Sequence, residues 1–141
     1  MNKFITYLGT ALITLSIVDA KACSCASVSE QQRYLGASNV FIGKVIETKL
    51  STTAEKIGEL DISTDIVEAK ISVTKAIKGK LAEHVNVLDT VPDGANCAVG
   101  LTTGREYLFY LHDNSFISIC DGSRLYNEFS DQELIEEMLS Y

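Results

Sequence analysis

Apolar and polar residues alternate most strictly between Ile66 and Ile77. Val67, Ala69, Ile71, Val73 and Ile77 fall on one parity and Glu68, Lys70, Ser72, Thr74 and Lys78 on the other, with Lys75 as the exception. A period of two is that of a strand with one face in a core and one in water. Upstream, Asn39-Val40-Phe41-Ile42-Gly43-Lys44-Val45-Ile46-Glu47-Thr48 is apolar on both parities. That pattern predicts a central strand covered on two sides, with Gly43 marking a bulge or sharp bend. Between them, Lys49 to Ser63 is polar and reads as a loop or irregular hairpin. Downstream, Val85 to Val91 predicts another strand, stopped by Pro92-Asp93-Gly94. Thr102-Thr103-Gly104 turns the chain into Arg105 to Leu111, and Asp113-Asn114-Ser115 turns it again into Phe116-Ile117-Ser118-Ile119-Cys120. Five strands with turns at short intervals predict a small all-β barrel, closed or nearly so.

Helical spacing appears at both ends of this run. Ser27-Val28-Ser29-Glu30 has a capping-box pattern and predicts a short helix through Leu35, stopped at Gly36. Ser130-Asp131-Gln132-Glu133 is a second such box, followed by Leu134, Ile135, Met138 and Leu139 on one face opposite Glu136 and Glu137. That helix is expected to pack its apolar stripe on the barrel.

The first residues belong to neither pattern. Lys3 precedes an apolar run from Phe4 to Val18, and Ala20-Lys21-Ala22 supplies the small-x-small pattern after which a signal peptidase cuts. Residues 1–22 are therefore expected to be a signal peptide and residues 23–141 a single secreted domain, extracellular or periplasmic, that begins at Cys23. The run is too short and mixed for a spanning helix, and no later stretch approaches transmembrane length. A lipid anchor on Cys23 fits poorly, because Ala20 and Lys21 stand where such signals usually place a large aliphatic and then a small residue. The chain carries −7 at neutral pH. That acidity argues against nucleic acid or an anionic membrane as partner, since both reward basic patches.

Four cysteines, Cys23, Cys25, Cys97 and Cys120, make an even set in an exported chain, which reads as two disulfides. A bridge from Cys23 to Cys25 would close too small a ring, so each takes a distant partner; the chemistry does not choose between Cys97 and Cys120 for Cys23. A four-cysteine metal site is disfavoured, because the residues do not form two C-x-x-C knuckles. Candidate catalytic residues are few. His84 and His112, the two histidines, lie at a turn and a strand end and read as surface residues. The chain lacks G-x-G-x-x-G, P-loop, H-E-x-x-H and G-x-S-x-G motifs. No enzyme activity and no cofactor are expected.

One combination of residues is more specific. Cys23-x-Cys25 at the mature start, a short helix, Ile77-Lys78-Gly79, Ala95-Asn96-Cys97, Leu101, Gly104, Glu106-Tyr107-Leu108 and Ile119-Cys120-Asp121 together resemble the netrin-like domain, in particular the N-terminal inhibitory domain of the tissue inhibitors of metalloproteinases. The resemblance covers nearly all of residues 23 to 122. It implies a five-stranded barrel of the oligonucleotide-binding (OB) type with flanking helices, and pairing of Cys23 with Cys97 and of Cys25 with Cys120.

It also implies a partner, a zinc metalloproteinase, and a site. The free α-amine and carbonyl of Cys23 would chelate the partner's catalytic zinc, Ser24 would face the pocket beyond the scissile bond, and Ala26 and Ser27 would continue along the cleft. Ala95 and Asn96 would form a second contact strip. No metal is bound except in trans, and a monomer is expected. The alternative is a netrin-like protein-binding module without protease inhibition. The sequence departs from the family pattern in three ways: Ser27 replaces the usual proline, Leu35 stands where a further cysteine would be, and only the helix after Ser130 is expected in place of a cysteine-rich second domain.

Overall fold

Val40, Phe41 and Ile42 are consecutive and all buried, which a strand achieves only with both faces covered. The protein is described by a computed structural model over residues 23–57 and 60–140, so the expected leader lies outside the described residues. Five strands, β1 (Asn39–Ile57), β2 (Leu60–Lys78), β3 (His84–Thr90), β4 (Glu106–Leu111) and β5 (Arg124–Leu125), form one sheet in the order β3-β2-β1-β4-β5. Every strand pair in it is antiparallel. One face gathers Phe41, Val45, Ala69, Ile71, Val87, Tyr107 and Phe109 into an inner cluster, with the Phe41 and Phe109 rings stacked at 4.9 Å. The other face presents Val40, Ile42, Ile77, Leu108 and Tyr110 to Ile135 and Met138 of helix α2 (Glu128–Met138). β3 closes back on the segment after β4, because Leu88 N–H donates to Ser115 O at 2.9 Å and Ile117 N–H to Leu88 O at 2.8 Å. The result is the expected OB-like fold: a five-stranded antiparallel sheet with two short helices and two disulfides.

Several local expectations are corrected. Of the two readings of Lys49 to Ser63, the hairpin holds and the loop does not: β1 and β2 run on as a regular two-stranded arm in continuous register from Glu47↔Lys70 to Ile57↔Leu60. Ile77 leaves the face of Ala69 and Ile71 and joins the outer cluster. The cause is a bulge. Register slips between Ile42↔Lys75 and Gly43↔Val73, so Thr74 is the extra residue, its hydroxyl donating to Ile42 O at 3.0 Å, and the parity reverses beyond it. A Cβ on Gly43 would collide with the Ile71 side chain and lie 3.1 Å from Ser72 O, which is why glycine sits opposite this bulge. Phe116 to Cys120 is no strand either. It makes the single bridge to Leu88 and then a 3-10 turn, Ile119–Asp121, capped by Ser118; the fifth strand is β5.

The helix starts also shift. α1 (Glu30–Gly36) is capped by Ser29 with Gln32 rather than by Ser27 with Glu30. Glu30 is taken up instead by Arg33 at 2.7 Å and by the Tyr110 hydroxyl, which donates to it at 2.9 Å. α2 begins at Asn127, whose side chain caps it, and Ser130 lies inside the helix. Asp131 is buried and accepts from Asn127 N–H at 2.8 Å and from the Arg124 guanidinium at 2.9 Å. Leu139 is 55% exposed, so the apolar stripe ends at Met138.

The Ile77-Lys78-Gly79 triplet has a physical reason. Lys78 Nζ donates to the carbonyls of Tyr34 at 2.7 Å, Leu35 at 3.1 Å and Ala37 at 2.6 Å, at the C-terminal end of α1 and its cap. Gly79 turns with φ +83°, where a Cβ would strike the Asn39 side chain. Lys78→Met should remove the charge while keeping the stem. Loss on the order of 2 kcal/mol is expected in denaturant unfolding, and a loss below about 0.5 kcal/mol would show that water replaces the ammonium without cost.

Candidate functional site

Residues 23–29 form no regular element and lead directly into α1, so their position depends on covalent ties. Cys23 is bonded to Cys97 with Cα atoms 5.2 Å apart, and Cys25 to Cys120 at 5.1 Å. The two bridges are neighbours: Cys120 Sγ lies 3.4 Å from Cys97 Sγ and 3.9 Å from Cys23 Sγ. Bonded in pairs, these sulfurs leave no thiolate for a metal. Cys97 O accepts from Ile119 N–H at 3.1 Å and from the Ser118 hydroxyl at 3.2 Å. Cys97 is thereby joined to the residues just before Cys120 by bonds that do not involve the sulfurs. Above them Cys23 is half-buried while Ser24, Cys25, Ala26 and Ser27 are exposed. Leu35 is exposed.

The connector from Val91 to Gly100 lies alongside. It has no regular structure, and its shape is set by three side chains that bond its backbone. Asp93 accepts from Ala95 N–H at 2.7 Å and Asn96 N–H at 2.8 Å; these bonds hold its carboxyl below the usual carboxylate range. Asn96 donates to Val91 O at 2.6 Å and accepts from Ala98 N–H at 3.3 Å. Its amide is thus spent inside the connector, leaving exposed Ala95 as the outward side chain. Asp89, fully buried at the end of β3, accepts from Val99 N–H at 3.1 Å and from Gly100 N–H at 2.9 Å. Burial pushes the Asp89 carboxyl up, while hydrogen bonds from the backbone of Val99, Gly100, Thr90 and Leu101 pull it down. Beyond it the Tyr107 hydroxyl accepts from Thr102 N–H at 3.0 Å and donates to Gly100 O at 3.2 Å.

Of the residues read as a site, the structure joins Cys23 to Cys97, the chain neighbour of Asn96, and sets Ser24 between the two bridged cysteines. Asp89, Asp93 and Ser118 were not foreseen. One signal was available: Val85, Val87 and Asp89 share a parity in β3, and Val87 is fully buried, so alternation alone turns Asp89 inward. His84 is exposed, and His112 faces Asp121 at 3.7 Å.

A curled five-stranded barrel whose leading segment is fastened to it by two adjacent disulfides defines a netrin-like domain of OB type. The family model described as "Tissue inhibitor of metalloproteinase" matches residues 21–136, and the chain belongs to this family. It is 30% identical over 110 residues to "Metalloproteinase inhibitor 2" of Homo sapiens, covering 72% of this chain and 46% of that protein. The same figures hold for "Metalloproteinase inhibitor 2" of Rattus norvegicus. The chain therefore spans about half the length of the curated relatives it matches. Among the described residues no helix is long and apolar enough to cross a membrane.

Proposed function

We propose that residues 23–141, released by cleavage after Ala22, act as a secreted, monomeric inhibitor of zinc metalloproteinases. The observation that carries this reading is the double staple at the leading end. Cys23 and Cys25 are each bonded to the rest of the domain, Cys23 half-buried, and the segment Ser24 to Ser27 that they tether is exposed. A catalytic zinc keeps one coordination position for water or substrate. The neutral α-amine of Cys23 would take that position and its carbonyl oxygen a fifth one, closing a five-membered chelate in place of the attacking water. Ser24 then faces the pocket that receives the side chain beyond the scissile bond. Ala26 and Ser27 follow the cleft, and Ala95, on the connector braced by Asp93 and Asn96, adds the second contact. Fixing the edge beforehand lowers the ordering cost of binding.

The test is direct. The chain beginning at Cys23 is expected to slow peptide hydrolysis by a zinc metalloproteinase, and Ser24→Arg to raise its Ki by roughly 10- to 100-fold, because a long cation meets a pocket matched to a small side chain. Phe129→Ser, at a residue 97% exposed on α2, is the control and should leave Ki unchanged. If Ser24→Arg is silent, the edge is not the contact. A binding module without inhibition, using another face such as that around Phe129, is the reading that would then stand.

A further inference from the structure

We propose that Asp89 is a positioning residue for the inhibitory edge: its buried carboxylate closes the neck of the Val91–Gly100 connector and so fixes where Cys97, and through the disulfide Cys23, is held. The proposal rests on the inhibitor reading above and names a residue on which that site depends.

The connector leaves β3 immediately after Thr90, and Asp89 catches it again ten residues later, one carboxylate oxygen on Val99 N–H and the other on Gly100 N–H. Two successive backbone donors converge on one anion here, and Gly100 at the same point adopts φ +76°, a left-handed conformation that glycine takes without steric cost. Only a carboxylate answers both donors. An asparagine of the same shape would turn an N–H₂ toward one of them. Cys97 lies two residues inside the neck, so a slack neck moves the sulfur to which Cys23 is bonded. The connector has no strand pairing: Asp93 and Asn96 brace it only within the loop, and besides Asp89 it meets its surroundings at Cys97 O, held by Ile119 N–H and the Ser118 hydroxyl, and at Gly100 O, held by the Tyr107 hydroxyl of β4.

The energetics point the same way. A carboxyl raised by burial binds its proton more tightly in the folded than in the unfolded chain, so this group favours the fold at low pH and that contribution is lost as pH rises through the folded value. A carboxyl kept buried against that desolvation serves the geometry of the connector it closes.

The test compares three variants of the chain beginning at Cys23, reading metalloproteinase Ki, amide hydrogen exchange and thermal midpoint. Asp89→Asn is expected to raise Ki by about tenfold or more. It should also speed exchange of the amides from Ala95 to Gly100 by about tenfold or more, while β1 and β4 amides stay protected. Gly100→Ala, whose Cβ meets nothing nearer than Pro92 at 3.9 Å, strains only the left-handed turn and should reproduce both effects. Val87→Ala, in the same strand but in the inner cluster, should lower the midpoint and leave Ki and connector exchange alone. Wild-type values for Asp89→Asn, or an equal rise in Ki for Val87→Ala, would overturn the proposal. Should Asp89→Asn not fold, Gly100→Ala decides in the same way. Absence of inhibition by the unaltered chain would count against the inhibitor reading alone, and the exchange measurements would still judge Asp89.

Discussion

A chain that keeps Ala22 ahead of Cys23 is expected to inhibit about a thousandfold more weakly than one that begins at Cys23, a loss of ~4 kcal/mol. The reason is electronic before it is steric. A primary amine has a lone pair to give a metal, whereas in a peptide bond that pair is delocalised into the carbonyl. In the proposed chelate the extended chain would lose one of the two donor atoms. Acetylation of the N-terminal amine should have the same effect with less added bulk. Neither change disturbs the fold, since Cys23 remains bonded to Cys97, so thermal midpoints should match. The amine also sets a pH dependence. With a usual α-amino pKa near 8, affinity should fall about tenfold per pH unit below that value, because the protonated amine has no lone pair. The extended chain should lack that slope. Equal inhibition by the extended and processed chains would end the chelate mechanism.

The parts of this fold legible in the sequence were those where one force acts alone. β1 announced its two-sided burial through Val40, Phe41 and Ile42, and β2 its one-sided burial from Val67 to Val73, because the hydrophobic pattern is the cause of both. Lys75 marked the point where that reading failed: a charge on the core parity signals that the parity itself has changed, as the Thr74 bulge makes it do. The arm beyond Thr48 reads as a loop or irregular hairpin because Lys49 to Ser63 is mostly polar in sequence, and a mostly polar strand has little apolar period to read. Phe116 to Cys120 alternates like a strand but is bent by Ser118 into the turn that carries Cys120 to Cys25. Overlapping caps misled for a different reason: Ser27 and Ser29 both stand three residues ahead of a Glu or Gln, and only tertiary demand from Tyr110 and Arg33 on Glu30 selects between them. Of the site, the cysteines and their neighbours were legible. The connector was not, since its shape comes from Asp89, Asp93 and Asn96 bonding backbone rather than from any apolar pattern.

Removing the Cys25–Cys120 bridge as Cys25→Ser with Cys120→Ser, the other bridge intact, is expected to cost roughly 3 kcal/mol of stability and lower the thermal midpoint by about 10 °C. The bridge spans 95 residues of chain, but the loop it closes is far shorter, because Cys23–Cys97 already joins the leading end to the connector. What remains open runs from Cys97 to Cys120 and back through Cys23 to Cys25. The barrel should survive, as the Ile119 and Ser118 bonds to Cys97 O do not need the sulfurs. Inhibition should suffer separately from stability. With Cys25 released, the edge from Ser24 to Ser27 is held only at Cys23 and again where α1 begins, and Ser27 gives it none of the rigidity of a proline. Ki is therefore expected to rise at temperatures well below the midpoint, because an edge that must order on binding forfeits part of its affinity. Denaturant unfolding and Ki at 25 °C decide the matter together. A stability loss under about 1 kcal/mol with Ki unchanged would mean that side-chain packing, and not the second staple, holds the edge in place.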